Sequence, residues 1–162
     1  MEGSARQAVH RLKYRRDLAL ADVLAAQLVA LVQAQGWPVE AVVAVPLGLQ
    51  RQKTRGYNQA AVLAFPLALG LGVPWARRAL ARVRETRSQV GLDIAARRRN
   101  VAHAFRVIDA AAVRDKTVLL VDDVMTTGAT LDAASRALRA GGAAQVYAVT
   151  VARAFLRTSV RW

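Results

Sequence analysis

Two adjacent carboxylates followed by hydroxyls and a glycine are the residues of this 162-residue chain best suited to chemistry. Asp122 and Asp123 directly follow the apolar run 117–121. Side-by-side carboxylates at the end of a strand can accept hydrogen bonds from two neighbouring hydroxyls, or can organise a Mg²⁺ ion through its waters. The pair therefore suits a ligand that carries a diol or a bound metal ion.

The same segment continues into a run that predicts a phosphate-binding turn, made of Thr126, Thr127, Gly128, Ala129 and Thr130. These residues supply hydroxyls and closely spaced backbone N–H groups at the start of a predicted helix, where the helix dipole favours an anion. A side chain at position 128 would crowd the phosphate or forbid the backbone angles that the turn needs. The acid pair and the turn together predict a diol clamp beside a phosphate cradle.

Three other interpretations of this segment exist. A threonine at 126 or 127 can simply cap the following helix, and a single capping threonine usually means no more. An apolar strand ending in two acids is also typical of P-loop ATPases and of receiver domains. The interpretation as a P-loop ATPase lacks support because no G-x-x-x-x-G-K-[ST] segment lies upstream. The receiver domain lacks support because the acids come late in the chain and the threonine–glycine turn has no role there.

The first half of the chain predicts two helices around a buried strand. Apolar residues at helical spacing predict a helix over 17–35, and the continuous apolar run 41–45 is typical of a strand buried on both faces. A polar, basic connection is expected over 48–56. A second helix is expected over 58–71, and Pro66 must kink or split it.

The second half predicts a loop and then a βαβ unit. The charged stretch 82–100 is expected to form a long mobile loop that runs into a short helix around 94–99. A strand over 117–121, a helix over 130–140 and a last strand over 145–151 follow. The fold predicted is therefore α/β, a mainly parallel twisted sheet flanked by helices, whose ligands bind beyond the carboxyl ends of the strands. A chain of this length suits a single domain, 1–162, with a core of about 12–153.

Charge and composition limit the partners. The chain carries 24 Lys and Arg against 11 Asp and Glu, and twelve of those basic residues lie between Arg51 and Arg106 with only two acids among them. A polyanionic partner is expected, although a solvated arginine-rich surface gives the same net charge of +13. The absence of cysteine excludes disulfides and thiolate metal sites. No apolar stretch reaches the ~18 residues of a membrane span, and no secretory signal is visible, so a cytoplasmic location is expected.

The segment 122–130 resembles the signature with which type I phosphoribosyltransferases bind 5-phosphoribosyl-1-pyrophosphate (PRPP). The wider chain, from about 12 to 153, resembles the ComF family of competence-associated, phosphoribosyltransferase-like proteins. The segments that carry this wider resemblance are Leu12-Lys13-Tyr14, Val45-Pro46-Leu47, Arg51, Arg55-Gly56-Tyr57-Asn58-Gln59, Gln89-Val90-Gly91-Leu92, 97–100 and Phe105.

The resemblance implies a role for each group of residues. Asp122 and Asp123 would be catalytic, holding the ribose hydroxyls and, indirectly through PRPP and water, Mg²⁺. The turn 126–130 would hold the 5-phosphate. The pyrophosphate loop and the cations that neutralise the leaving group would be Pro46, Leu47, Gly48, Arg51, Lys53 and Arg55.

Further candidates come from two neighbouring segments. The basic stretch 84–91 resembles the mobile loop that closes over the site, which makes Arg84 and Arg87 additional catalytic candidates. The residues just past the pyrophosphate loop are candidates for facing the ligand, and they are Tyr57, Asn58 and Gln59.

The activity implied is Mg²⁺-dependent transfer of phosphoribose from PRPP to an acceptor, with release of pyrophosphate. Members that salvage purines usually carry an acid where Thr126 stands, so the resemblance argues against a purine acceptor. The alternative is a non-catalytic protein that senses PRPP or handles single-stranded DNA during natural competence and DNA uptake, with the competence machinery as partner. A homodimer is a further expectation. ComF-like proteins commonly begin with a cysteine-rich zinc module, which this sequence lacks.

Overall fold

A computed structural model describes Arg11, residues 18–84 and residues 103–153, and shows four helices and five strands over the last two ranges. The helices are α1 (Leu18–Ala34), α2 (Leu49–Arg55), α3 (Gln59–Leu71) and α4 (Ala129–Ala140). The strands are β1 (Ala41–Ala44), β2 (Leu80–Arg82), β3 (Phe105–Val107), β4 (Thr117–Met125) and β5 (Gln145–Arg153).

The main sheet is parallel, with the strand order β1-β4-β5. β4 lies in the centre, where Val121 pairs with Ala44 on one side and with Val149 on the other. A separate two-stranded antiparallel sheet joins β2 to β3. The predicted α/β fold with a mainly parallel sheet is confirmed.

Apolar residues cover both faces of this sheet. Successive side chains of a strand point to opposite faces, and in β4 Leu119 packs in the cluster with α1 and α3, whereas Leu120 packs in the cluster with α4. Both leucines are fully buried. Burying such a side chain stabilises the fold by about 1.5–3 kcal/mol. This two-sided burial is why the strands appear in the sequence as continuous apolar runs.

The connection expected over 48–56 is in fact mostly helical. α2 occupies seven residues between Gly48 and Gly56. Its Gln, Arg and Lys side chains are good helix formers, and it ends where Gly56 adopts a left-handed conformation with φ of 74°. The polarity of this segment therefore reflects a helix on the surface and not an irregular loop.

The end of β4 and the pair β2–β3 also differ from the sequence-based expectation. β4 does not end at Val121 but runs on to Met125, because its pairing with β5 continues through Met125 and Arg153. Pro66 lies inside α3 without splitting it. The strands β2 and β3 were not expected at all. The remainder of the predicted loop and the short helix around 94–99 lie outside the described residues.

No helix among the described residues is both long and apolar enough to cross a membrane.

Candidate functional site

The candidate site lies where β1 ends beside β4, which runs on to Met125. The backbone N–H of Val45, just after β1, donates to the carbonyl oxygen of Val121 in β4 at 2.9 Å. The residues that follow are Pro46, in the loop after β1, and Asp122, in β4. The parallel pairing thus brings two segments far apart in the chain to one edge of the sheet.

A cavity of about 390 Å³ opens at this edge. It collects most of the residues that the sequence singled out, namely Pro46, Leu47, Arg51, Arg55, Asn58, Gln59, Asp122, Asp123, Thr126, Gly128, Ala129 and Thr130. The remaining lining residues are Val45, Ala60, Arg82, Val124, Met125 and Leu131.

The acid pair is part of the central strand and not of a turn. Asp122 pairs with Thr150 of β5, and the pairing resumes at Val124 with Ala152. The Oδ1 atom of Asp122 accepts a hydrogen bond from the backbone N–H of Asp123 at 2.9 Å. Both carboxylates are half-buried and line the cavity. They are therefore held by the backbone ladder of the sheet.

The threonine–glycine turn follows β4 and begins α4. Gly128 caps this helix with φ of 77°, a left-handed conformation that side chains disfavour. A Cβ atom built there would lie 3.8 Å from Met125 Sδ, which is ordinary contact. Backbone conformation, rather than space inside the unliganded protein, is thus the reason for glycine at this position.

The threonines of the turn divide into two roles. Thr126 and Thr130 line the cavity. Thr127 is not among the lining residues, and its Oγ1 accepts from the backbone N–H of Ala129 at 3.4 Å. Thr127 thus makes a local hydrogen bond to the backbone at the start of the helix, but it is not the N-cap, since Gly128 holds that position and no side chain caps α4.

Two arginines of α2 line the same cavity as the acid pair. Arg51 and Arg55 are four residues apart, so they lie on the same face of the helix, and both line the cavity. Lys53 lies between them in the sequence, is exposed and does not line the cavity. Gly48 is buried behind the helix start and does not line it either.

Asn58 and Gln59 follow the helix and have different surroundings. Asn58 caps α3 by accepting from the Ala60 N–H at 3.1 Å, and its Nδ2 donates to the carbonyl oxygen of Val45 at 2.9 Å. The structure therefore gives both ends of the Asn58 amide a partner within the chain. Gln59 is buried and accepts from Arg55 Nη1 at 3.1 Å.

Tyr57 and the predicted loop arginines lie elsewhere. Tyr57 lines a second cavity of about 680 Å³, together with Phe65 and Trp75. The two cavities share Pro46, Leu47 and Asn58. Arg84 is exposed and does not line the first cavity, and Arg87 lies outside the described residues.

Two further side chains of the cavity wall, Arg82 and Met125, were not predicted from the sequence. The guanidinium carbon of Arg82 lies 5.5 Å from the ring centroid of Phe105, its partner in the β2–β3 pair. Arg82 had been assigned to the charged loop, and a three-residue strand is too short to show a periodic signal. Met125 lies in the segment that was singled out, but it was given no role.

The donor set suits a metal ion that arrives with a ligand. Among the described residues, no group of three or more His, Cys, Asp or Glu side chains could hold a metal ion. Mg²⁺ is commonly bound by one or two carboxylates together with water and substrate phosphates. Asp122 and Asp123 fit that mode of binding.

Comparison with protein families gives a match over the larger part of the chain. Residues 49–158 match the phosphoribosyl transferase domain family. The chain is 38% identical, over 143 residues, to the DNA utilization protein YhgH of Salmonella typhi, covering 85% of this chain and 62% of that protein. It is 40% identical, over 116 residues, to competence protein F of Haemophilus influenzae, covering 71% of this chain and 51% of that protein.

The chain thus spans less than two thirds of the length of these two relatives. Among solved structures, it is similar to an adenine phosphoribosyltransferase from Thermoanaerobacter pseudethanolicus, with a TM-score of 0.53 and 15% identity. That similarity covers 86% of this chain and 83% of the other. It establishes a shared fold.

Proposed function

The chain belongs to the phosphoribosyltransferase domain family, as a ComF-family protein of the type I class, and we propose that it binds PRPP in the 390 Å³ cavity. The proposed reaction is Mg²⁺-dependent transfer of phosphoribose to an acceptor that is still unidentified, with release of pyrophosphate. A cytoplasmic location, as expected from the sequence, belongs to the same proposal.

The observation that carries the proposal is the composition of one continuous cavity wall. Carboxylates that accept from a diol, a turn that suits a phosphate, and two arginines that suit a pyrophosphate all line it. PRPP carries these three groups on one ribose ring. Asp122 and Asp123 adjoin the turn in the chain, whereas Arg51 and Arg55 belong to α2, so separate elements offer groups for the two ends of that ligand.

The charges of the two sides suit the proposed transfer. The bond between ribose C1 and the pyrophosphate oxygen breaks, its electron pair leaves with pyrophosphate, and C1 forms a new bond to the acceptor. Negative charge therefore grows on the leaving group, beside Arg51 and Arg55, and positive charge grows on the ribose, beside Asp122 and Asp123. Preorganised groups of opposite charge lower the energy of such a transition state. Mg²⁺, bound with PRPP, would supply further neutralisation of the phosphate oxygens.

A calorimetric titration of PRPP with Mg²⁺ tests the site. We expect the double variant Asp122→Asn/Asp123→Asn to bind at least about 100-fold more weakly than the wild type, because each carboxylate makes charge-assisted hydrogen bonds to the ligand. Asp132→Asn is the matched control, since Asp132 is an exposed acid of the first turn of α4 that does not line the cavity. Equal binding by the wild type and the double variant would refute the site.

Pyrophosphate release tests the transfer separately from binding. PRPP and Mg²⁺ are incubated with the protein and with nucleobases, amines or water in turn. Release with one of these acceptors supports the transferase. Binding of PRPP without release from any of them supports a non-catalytic sensor instead.

Handling of single-stranded DNA is the second candidate, and the excess of exposed positive charge favours it. A small cavity uses only a few arginines, whereas many exposed arginines of the described residues lie outside it, namely Arg77, Arg78, Arg84, Arg106, Arg114, Arg136, Arg139 and Arg153. A surface that neutralises DNA phosphates releases counterions, so the affinity must fall steeply with salt. DNA binding that is insensitive to salt would count against this candidate.

A further inference from the structure

Among the residues that the structure describes, Gln59 is the one polar residue that is buried, with 2% of its surface exposed. It is the first residue of α3 and lines the 390 Å³ cavity beside Asn58 and Ala60. Buried polar atoms in proteins nearly always have hydrogen-bond partners. The partners of Gln59 therefore need to be accounted for atom by atom.

The orientation of the Gln59 amide follows from its neighbour. Arg55 Nη1 lies 3.1 Å from Gln59 Oε1, and a guanidinium group can only donate hydrogen bonds. The amide oxygen must therefore face Arg55, and the NH₂ group is directed away from it. Among the described residues, Gln59 Nε2 is buried and has no hydrogen-bond partner.

An unpaired buried donor destabilises the free protein, whereas an apolar side chain of similar shape in its place is close to neutral. The folded chain alone thus gives a reason for the amide oxygen, which accepts from Arg55, and none for the NH₂ group. The position of Gln59 in the cavity wall gives one. The terminal torsion of glutamine is broad, so the amide can tilt its NH₂ group towards a ligand without any displacement of α3 while its oxygen stays on the side of Arg55.

The surroundings of Gln59 define which ligand group it meets. Asp122 and Asp123 are acceptors and suit hydroxyls that donate, whereas an NH₂ group needs an acceptor. Arg55, bonded to Gln59, and Arg51 on the same face of α2 attract an anion to their side of the cavity. An anionic oxygen held by these arginines is therefore the acceptor that best suits the NH₂ group of Gln59.

We propose that Gln59 Nε2 donates a hydrogen bond to the pyrophosphate group of PRPP, so that Arg55 and Gln59 together recognise that group. This inference rests on the proposed function. It makes Gln59 a specificity-determining residue that distinguishes PRPP and pyrophosphate from ribose 5-phosphate, which lacks the group.

The test compares wild type with Gln59→Met, whose side chain has a similar length and no amide. The probes are PRPP, inorganic pyrophosphate and ribose 5-phosphate, each titrated with Mg²⁺. We expect about a 10-fold loss of affinity for PRPP and pyrophosphate, as for a hydrogen bond to a charged group. Affinity for ribose 5-phosphate stays within about 2-fold of wild type, since a substitution distant from a ligand has little effect on it.

Thermal unfolding of the free protein distinguishes recognition from a structural role. Gln59→Met removes an unpaired buried donor, which favours the folded state, and also the acceptor of Arg55 Nη1, which disfavours it, so its unfolding temperature is expected to stay close to that of the wild type. A lower unfolding temperature together with unchanged pyrophosphate affinity would overturn the proposal.

A double-mutant cycle with Arg55→Met separates a direct contact from an effect through Arg55. If Gln59 donates to the ligand itself, Gln59→Met weakens pyrophosphate binding further in the Arg55→Met background. If Gln59 only positions Arg55, the second substitution has no effect there, and the proposal is wrong.

Gln59→Glu provides a second variant that keeps the acceptor facing Arg55 and replaces the NH₂ group by an oxygen. Gln59→Glu is expected to bind pyrophosphate more weakly than Gln59→Met does, because the carboxylate and the pyrophosphate oxygens are both negatively charged acceptors and repel each other. Wild-type affinity in Gln59→Glu contradicts the inference. Failure of the wild type to bind either PRPP or pyrophosphate contradicts the proposed function itself, which is a different outcome from equal binding by wild type and Gln59→Met.

Discussion

The two sides of the cavity are built in different ways. The acid side, defined as Asp122, Asp123 and the turn 126–130, belongs to the central strand and to the first turn of a 12-residue helix. The arginine side, defined as Pro46, Leu47, Arg51 and Arg55, belongs to a loop and a seven-residue helix. The acid side is thus part of the main sheet and of the start of a helix that packs on it, whereas the arginine side belongs to a short surface helix and the loop before it.

This difference matches what each side must do in the proposed function. The acids act beside ribose C1, where a small displacement changes the geometry of bond formation. Arginines that neutralise a pyrophosphate act over longer distances and tolerate adjustment. Local opening requires the least free energy where few apolar contacts and many exposed groups occur, and Gln50, Gln52 and Lys53 of α2 are exposed.

The largest effect is expected from removing the charge of the arginine side alone. The double variant Arg51→Met/Arg55→Met should lose about 100-fold in affinity for Mg²⁺-pyrophosphate, at the level of two charge-assisted contacts. Ribose 5-phosphate binding should change little, and calorimetry measures both. Lys53→Met is the matched control, because it removes a charge from the same helix without touching the cavity. Parallel loss of both ligands would show that the two sides do not divide the ligand between them.

The acid side is expected to be sensitive through its backbone. Gly128→Ala places a side chain at φ of 77°, which costs about 1–2 kcal/mol of stability. A domain of this size then melts roughly 2–8 °C lower. Affinity for ribose 5-phosphate should also fall, while pyrophosphate affinity is retained.

Gly36→Ala provides the control for this prediction. Gly36 has φ of 63°, and a Cβ atom there would meet nothing within 4 Å. It lies after α1, away from the residues that line the cavity. We expect the same order of destabilisation with no change in either affinity. A loss of ribose 5-phosphate binding in both variants would attribute the effect to general destabilisation.

The smallest effect is expected at the junction of the two sides. Asn58→Ala removes the cap of α3, which costs about 1 kcal/mol, and also the hydrogen bond to the Val45 carbonyl. Asn58→Asp keeps the acceptor for the Ala60 N–H, but replaces the donor to Val45 by an oxygen that repels the Val45 carbonyl. Denaturant unfolding should therefore show that the wild type is the most stable, Asn58→Asp less stable and Asn58→Ala the least stable. Equal stability of the two variants would show that the cap contributes nothing.

The acid side could be located from the sequence because its chemistry is consecutive in the chain. Asp122 to Thr130 follows an apolar run that only a strand buried on both faces explains. The extension of that strand to Met125 could not be foreseen, since it depends on pairing with β5. Continuation of a strand beyond its apolar run is decided by the partner strand and leaves no local pattern.

The arginine side was predicted less completely. Arg51 and Arg55 were singled out together with Lys53, but a helix is needed to turn the two arginines to one face, and its polar sequence suggested a connection. Tyr57 and Gln59 are two residues apart and line different cavities, because the chain turns at Gly56 before α3 begins. Arg82 enters the wall only through its pairing with Phe105, which lies far along the sequence.

The position of α2 between two glycines also affects which parts of the amino-acid sequence can vary. A residue inserted in β4 would shift every later side chain of the strand to the opposite face, and Asp122 would leave the cavity. α2 is flanked by Gly48 and Gly56, and its exposed residues are not part of any ladder. The exposed residues of this helix can thus be exchanged while Arg51 and Arg55 are kept, which makes the arginine side the one open to diversification and to engineering.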